Sequence, residues 1–153
     1  FASKKDVHEI AELYKGWLDY KGILPDKLIE PESYKDLLKY FKKDSQRRYI
    51  ITKIDNKVVG VCYIDISFSS FGAMRIGNVF VLKKYRNQGI ATSLLKFAIN
   101  YAKENKIKKI WLWTQEELIP AIKFYEKEGF IFEGKQKAQF CGKDVLLYGL
   151  ILN

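Results

Sequence analysis

The sequence predicts one α+β domain built on a mixed sheet, spanning residues 1–153. Three observations carry that reading. Helical spacing dominates the first forty residues, and three strand-like runs separated by turn residues follow. A strand–helix–strand run, from NVFVL to IWLW, sits in the middle. After Gly129 the chain reads as a final hairpin.

The elements follow in order. Ser3 to Asp6 offers capping residues, and Val7, Ile10, Ala11, Tyr14, Trp17 and Leu18 recur on one helical face. Gly22 and Pro25 break that pattern, and a second helix is expected after Pro31, with Tyr34, Leu37, Leu38 and Phe41 on one side. Strands are expected at Tyr49–Ile54, Val58–Phe68 and Ala73–Leu82, the first two joined by a tight turn at Asp55-Asn56-Lys57. A long amphipathic helix is expected from Gln88 to Asn105, with Ala91, Leu94, Leu95, Ala98, Tyr101 and Ala102 as its apolar stripe. Lys108–Trp113 reads as a short buried strand, so the crossover implies one parallel pair. Pro120 suits the start of another helix, with Ala121, Ile122 and Tyr125 facing inward and Gly129 ending it. Phe130–Phe140 and Asp144–Leu152 form the hairpin. The order is α-α-β-β-β-α-β-α-β-β.

Composition narrows the function classes. Hydrophobic residues at 48% and charged residues at 29% suit a packed core rather than disorder. No apolar run reaches the roughly 18 residues that a membrane span needs. No signal peptide is visible, although the chain opens on Phe1 and a processed segment stays open. Two cysteines, Cys62 and Cys141, and one histidine, His8, supply neither a zinc site nor a Cys–His pair, so no metal is expected. A reducing, cytoplasmic setting is the simpler expectation. The net charge of +9 suits an anionic partner, but basic residues are spread along the chain, and no nucleic-acid-binding signature accompanies them.

The segment RNQGIATSLLKF lies between a strand and the long helix. A helix start exposes N–H groups and carries partial positive charge, which together attract an anion. Gly89 lets a phosphate approach without meeting a Cβ, Arg86 adds a permanent charge, and Thr92 adds a hydroxyl. No GxxxxGK is present, and a meander precedes the loop where a dinucleotide fold would have its first strand.

Arg86-Asn87-Gln88-Gly89-Ile90-Ala91 resembles the acyl-CoA loop of the GNAT family, the Gcn5-related N-acetyltransferases. The setting NVFVLKKYRNQGIATSLL and the later AIKFYEKEGF, Ala121 to Phe130, strengthen the resemblance, which covers nearly the whole chain. It implies a single GNAT-like domain with a mixed, mostly antiparallel sheet flanked by helices, its first strand largely missing at the N-terminus. It implies acetyl-CoA as cofactor and an N-acetyltransferase activity toward a primary amine on a small molecule, polyamine or peptide, by direct attack with both substrates bound. By matching positions, Val79, Phe80 and Val81 offer a backbone edge to the pantetheine arm, while Arg86, Asn87, Gln88, Gly89, Ile90, Ala91 and Thr92 cradle the pyrophosphate. Lys83, Lys84, Lys123 and Lys127 are expected to add positive field or simply to be solvated. Tyr125 matches the tyrosine that serves as general acid toward the sulfur. Many relatives carry a glutamate where Asn78 stands, and asparagine takes no proton but orients a water. Glu116, Glu117 and Asp65 stay open as alternative bases. Leu118 replaces a frequent asparagine, which motivates the alternative of a catalytically idle acyl-CoA-binding or sensory domain. The acceptor is expected near the first two helices and the last hairpin. There Asp19, Asp26, Glu30, Glu32 and Asp36 make a net acidic segment, and Trp111, Trp113 and Phe140 are either pocket wall or core. The hairpin strands are also able to support a homodimer.

Overall fold

A computed structural model of the chain describes residues 1–153, apart from the side chain of Leu28. Helix α1 (Val7–Tyr14) buries Val7, Ile10, Ala11, Leu13 and Tyr14. Its entry is fixed by the Asp6 carboxylate, which accepts from the Ser3 N–H at 2.7 Å and the Ser3 hydroxyl at 2.9 Å and pairs with Lys53 at 2.7 Å. A 3-10 segment, Lys15–Tyr20, continues α1.

A short helix, α2 (Asp26–Ile29), follows Pro25 where the sequence suggested only a break. Helix α3 (Tyr34–Leu38) starts later than Pro31 suggested, because the Ser33 hydroxyl accepts from the Asp36 N–H and so caps it.

The sheet comprises β1 (Arg47–Ile54), β2 (Lys57–Asp65), β3 (Ala73–Val81), β4 (Lys109–Thr114), β5 (Ile131–Phe140) and β6 (Lys143–Ile151), in the order β1-β2-β3-β4-β6-β5. Only the β3–β4 pair is parallel. Asp55 and Asn56 both have positive φ, as a two-residue hairpin turn requires. Strand β2 ends at Asp65 rather than Phe68, because the Asp65 carboxylate accepts from the Ser67 N–H and turns the chain. Before α1, the Ala2 N–H donates to the Tyr49 carbonyl at 2.8 Å, a single contact along the outer side of β1.

Helix α4 (Ile90–Glu104) and helix α5 (Ile119–Lys127) cover one face of the sheet. Ile64, Met74, Ile76, Leu94, Leu95 and Ile110 lie in that core. Helices α1 and α3 cover the other face over Val58, Val61, Tyr63 and Phe80. Strand β2 is buried from Val58 to Ile64 because both layers press on it. Helix α4 begins at Ile90, not Gln88: Asn87 and Gly89 have φ of 61° and 76°, which a right-handed helix does not admit.

Candidate functional site

Two features of β3 build the site. The first is its partial pairing. Only Ala73, Met74 and Arg75 pair with β4, at Lys109, Ile110 and Trp111, while β4 goes on pairing with β6 as far as Thr114. Beyond Arg75 the two parallel strands part. The second is a bulge. Tyr63 pairs with Gly77 and Val61 with Phe80, so Cys62 faces both Asn78 and Val79. Asn78 takes φ of 49° to make room. The extra residue shifts the side-chain phase. Met74 and Ile76 face the α4 core before the bulge, and Val79 and Val81 face it afterwards. Phe80 therefore packs on the α1 side, 5.1 Å from the Trp17 ring.

The gap opens into a cleft of about 350 Å³. Ile76, Gly77, Asn78 and Val79 form one wall, and Trp113, Thr114 and Gln115 form the facing wall. Leu118, which precedes α5, and Ala121 and Tyr125 on the helix complete the lining. Tyr125 is 8% exposed, with its ring 5.3 Å from Phe124 and 5.8 Å from Phe130. Burial raises its phenol above the ordinary value, so it stays protonated at neutral pH.

At the far end of β3, a 3-10 turn (Lys83–Tyr85) leads to the helix start. Among the described residues, no backbone N–H from Asn87 to Thr92 finds an acceptor; the first to do so is Ser93, to the Gly89 carbonyl at 2.9 Å. A Cβ at Gly89 would meet nothing within 4 Å, so this surface is open. Arg86 donates from Nε to the Val81 carbonyl at 2.9 Å, which ties the loop to the strand end. The Gln88 amide holds the loop from the other side through the Lys84 carbonyl, at 3.2 Å.

The structure corrects three details of the sequence-based site. The Thr92 hydroxyl donates to Glu128 at 2.7 Å, so only its backbone N–H faces the open surface. The Val81 carbonyl is taken by Arg86, so the free edge of β3 lies before it. Glu116, Glu117 and Asp65 lie outside the cleft lining: Glu116 pairs with Lys135, Glu117 with Lys143 at 3.1 Å, and Asp65 with Arg75 at 3.7 Å. The lysines at 83, 84, 123 and 127 are exposed. Trp111 and Trp113 are half-buried and line grooves rather than core.

The sequence placed Tyr14 on the apolar face of the first helix and gave no site role to Arg47, Tyr63, Arg75 or Gln115, yet all five line the cleft. The Arg47 guanidinium is sandwiched 3.9 Å from the Tyr40 ring and 4.1 Å from the Tyr63 ring, with Glu32 at 3.6 Å. Arg75 donates to the Tyr63 hydroxyl at 2.8 Å. Glu30 and Glu32, from the acidic segment, also reach the lining. The signal that marks Gln115 in the sequence is faint: a polar residue directly after a strand that alternates between buried and half-buried positions.

The family model described as Acetyltransferase (GNAT) family matches residues 8–130. An uncharacterized N-acetyltransferase of Methanocaldococcus jannaschii is 28% identical over 132 residues, 84% of this chain and 58% of that protein. Another, from Archaeoglobus fulgidus, is 26% identical over 131 residues, 83% of this chain and 88% of that protein. The chain thus spans little more than half the length of the first relative and most of the second. Among solved structures, a PaiA N-acetyltransferase of Thermoplasma acidophilum in complex with coenzyme A superposes with a TM-score of 0.84 at 19% identity, covering 99% of this chain and 96% of that one.

Proposed function

The chain belongs to the acetyltransferase (GNAT) family, and from that premise we propose that it moves an acetyl group from acetyl-CoA to a primary amine. One observation carries the reading: the helix start at Gly89, with its run of unpaired N–H groups, adjoins the strand that has parted from its parallel neighbour. An anion cradle and an open peptide edge in series fit a cofactor that carries a pyrophosphate and an amide-bearing arm. The backbone of Asn87 to Thr92 would hold the pyrophosphate, with Arg86 beside it, and the β3 edge around Val79 and Phe80 would hold the arm. When bound, acetyl-CoA supplies an activated acetyl group as a thioester.

The chain's own groups then take these roles. Backbone N–H groups at the bulge polarise the reacting carbonyl. Tyr125, protonated and lining the cleft, donates to the leaving sulfur. Asn78 holds no exchangeable acid at neutral pH and serves to orient a water that takes the amine proton. Glu30 on the lining attracts a protonated amine from solvent, while Glu32 is already paired with Arg47 at 3.6 Å. Direct attack by the amine fits better than an acetyl-cysteine route. Cys62 is buried and its thiol is pushed up to about 12, which leaves it inert, while Cys141 lies at the β5–β6 turn outside the cleft lining.

The test is thermal stabilisation by acetyl-CoA, followed by acetyl transfer to a panel of amines. Stabilisation with transfer is the expected result. Stabilisation without transfer to any amine would favour a binding-only domain, and no stabilisation would sink the reading.

A further inference from the structure

Buried polar side-chain atoms almost always find partners, and those that do not lose favourable interactions with water. Among the described residues, four such atoms make no hydrogen bond of good geometry: the Tyr14 hydroxyl, whose polar neighbour is the Asn78 side chain, Arg47 Nε, and both Gln115 Nε2 and Gln115 Oε1. All three residues line the one cleft between β3 and β4. Gln115 is 2% exposed and Tyr14 is 1% exposed. The unpaired groups are thus gathered along the buried lining of one cleft rather than scattered through the core.

Their chemistry selects among amines. Gln115 presents a donor and an acceptor side by side on one rigid plane. A polyamine in its charged form has only donors; it would satisfy Oε1 and leave Nε2 and Arg47 Nε bare. A simple carboxylate has only acceptors and would fail in the opposite way. An extended peptide residue offers its own N–H and C=O on the same side, which is how a residue in an antiparallel pair exchanges two bonds with the residue opposite. A carboxamide matches that pair, and Arg47 Nε and the Tyr14 hydroxyl remain to bond further carbonyls.

Room for more chain is present. A second groove of about 640 Å³ crosses the face of β4, β6 and β5 and shares Arg75, Trp113 and Phe140 with the cleft.

We propose that Gln115, with Arg47 and Tyr14, reads the N–H and C=O of the second residue of an extended peptide, so that the acceptor is a peptide with a free N-terminal amine. This rests on the acetyltransferase reading above. The first residue supplies the attacking amine, the second pairs with the carboxamide, and later residues run into the second groove.

The experiment compares acetyl transfer from acetyl-CoA to a free-amine tripeptide, to the same tripeptide N-methylated at the second residue, to spermidine, and to an aminoglycoside. The tripeptide should be the best acceptor, and N-methylation, which removes one hydrogen bond, should lower kcat/KM by about tenfold. Gln115→Met should raise the KM for the tripeptide and erase the difference between it and its N-methylated form, while stabilisation by acetyl-CoA is kept. The parent comparison needs no variant and decides the matter even if Gln115→Met fails to fold. Equal rates on the two tripeptides, or faster transfer to spermidine or the aminoglycoside, would overturn the peptide inference while leaving the transferase reading intact. So would a Gln115→Met chain that loses stabilisation by acetyl-CoA yet keeps its tripeptide KM, since the carboxamide would then serve the cofactor. No stabilisation by acetyl-CoA, or no transfer to any amine, would overturn both.

Discussion

Gly89 has φ of 76°, and its missing side chain faces open space. Two substitutions separate its backbone role from its binding role. Gly89→Ala strains the left-handed conformation by about 1–2 kcal/mol but adds little bulk, so thermal stabilisation by acetyl-CoA should survive on a less stable chain. Gly89→Glu puts length and negative charge where phosphate is proposed to sit, and that stabilisation should vanish. Retained stabilisation with glutamate would remove the cradle from the site. Tyr125→Phe keeps the ring contacts to Phe124 and Phe130 and deletes only the hydroxyl. Turnover should fall by about tenfold to a hundredfold with acetyl-CoA affinity kept; unchanged turnover would leave Tyr125 as a core aromatic. Both residues were legible in the sequence because each belongs to a contiguous pattern. Gln115 was not, since its status depends on which groups fail to reach it across the cleft. Glu116 and Glu117 misled for the same reason: Lys135 and Lys143, which claim them, lie on β5 and β6.

Helix α4 places its N-terminus by resting on β2. A Cβ at Gly60 would lie 2.7 Å from Ile90 Cγ2 and 3.3 Å from Leu94 Cδ1, so the first turn of the helix sits directly on the strand backbone. Gly60→Ala should push that turn outward. Overpacking of this kind costs about 1–3 kcal/mol, readable by urea denaturation, and acetyl-CoA affinity should fall with it because the N–H groups from Asn87 to Thr92 move away from β3. Lost stability with unchanged affinity would separate the helix start from binding. The helix stripe, Leu94, Leu95, Ala98 and Ala102, was readable from its spacing. The bulge at Asn78 was not, because an asparagine with positive φ leaves no periodic mark; it follows from how β2 and β3 must register. The short helix α2 was missed because four residues after a proline give periodicity nothing to act on.

Across the whole molecule, five tyrosines among the described residues, Tyr14, Tyr49, Tyr63, Tyr125 and Tyr148, are buried in or against the sheet, and burial raises each phenol above its ordinary value. Tyr49 is raised further by Glu32, whereas Arg75 and Arg47 partly offset the rise at Tyr63. A folded value above the unfolded value of about 10 means that the neutral form contributes stability fully below that pH. The contribution is lost as pH climbs through the folded values. The buried Cys62 thiol, pushed up to about 12, adds a loss that starts near its unfolded value of about 8.5. Urea denaturation should therefore give level stability to about pH 8 and a decline that steepens above about pH 10; a level profile to about pH 11 would show that these groups ionise freely. The sequence by itself determined the α+β class, the succession of strands with its one crossover, and the glycine loop at the helix start, because each rests on local spacing, turn chemistry and backbone rules that act over a few residues. Tertiary structure alone decided where β3 parts from β4, which carboxylates are spent in ion pairs, and which buried polar atoms are left bare in the cleft. Those outcomes depend on groups distant in the chain meeting or failing to meet, and no local pattern records a partner that is missing.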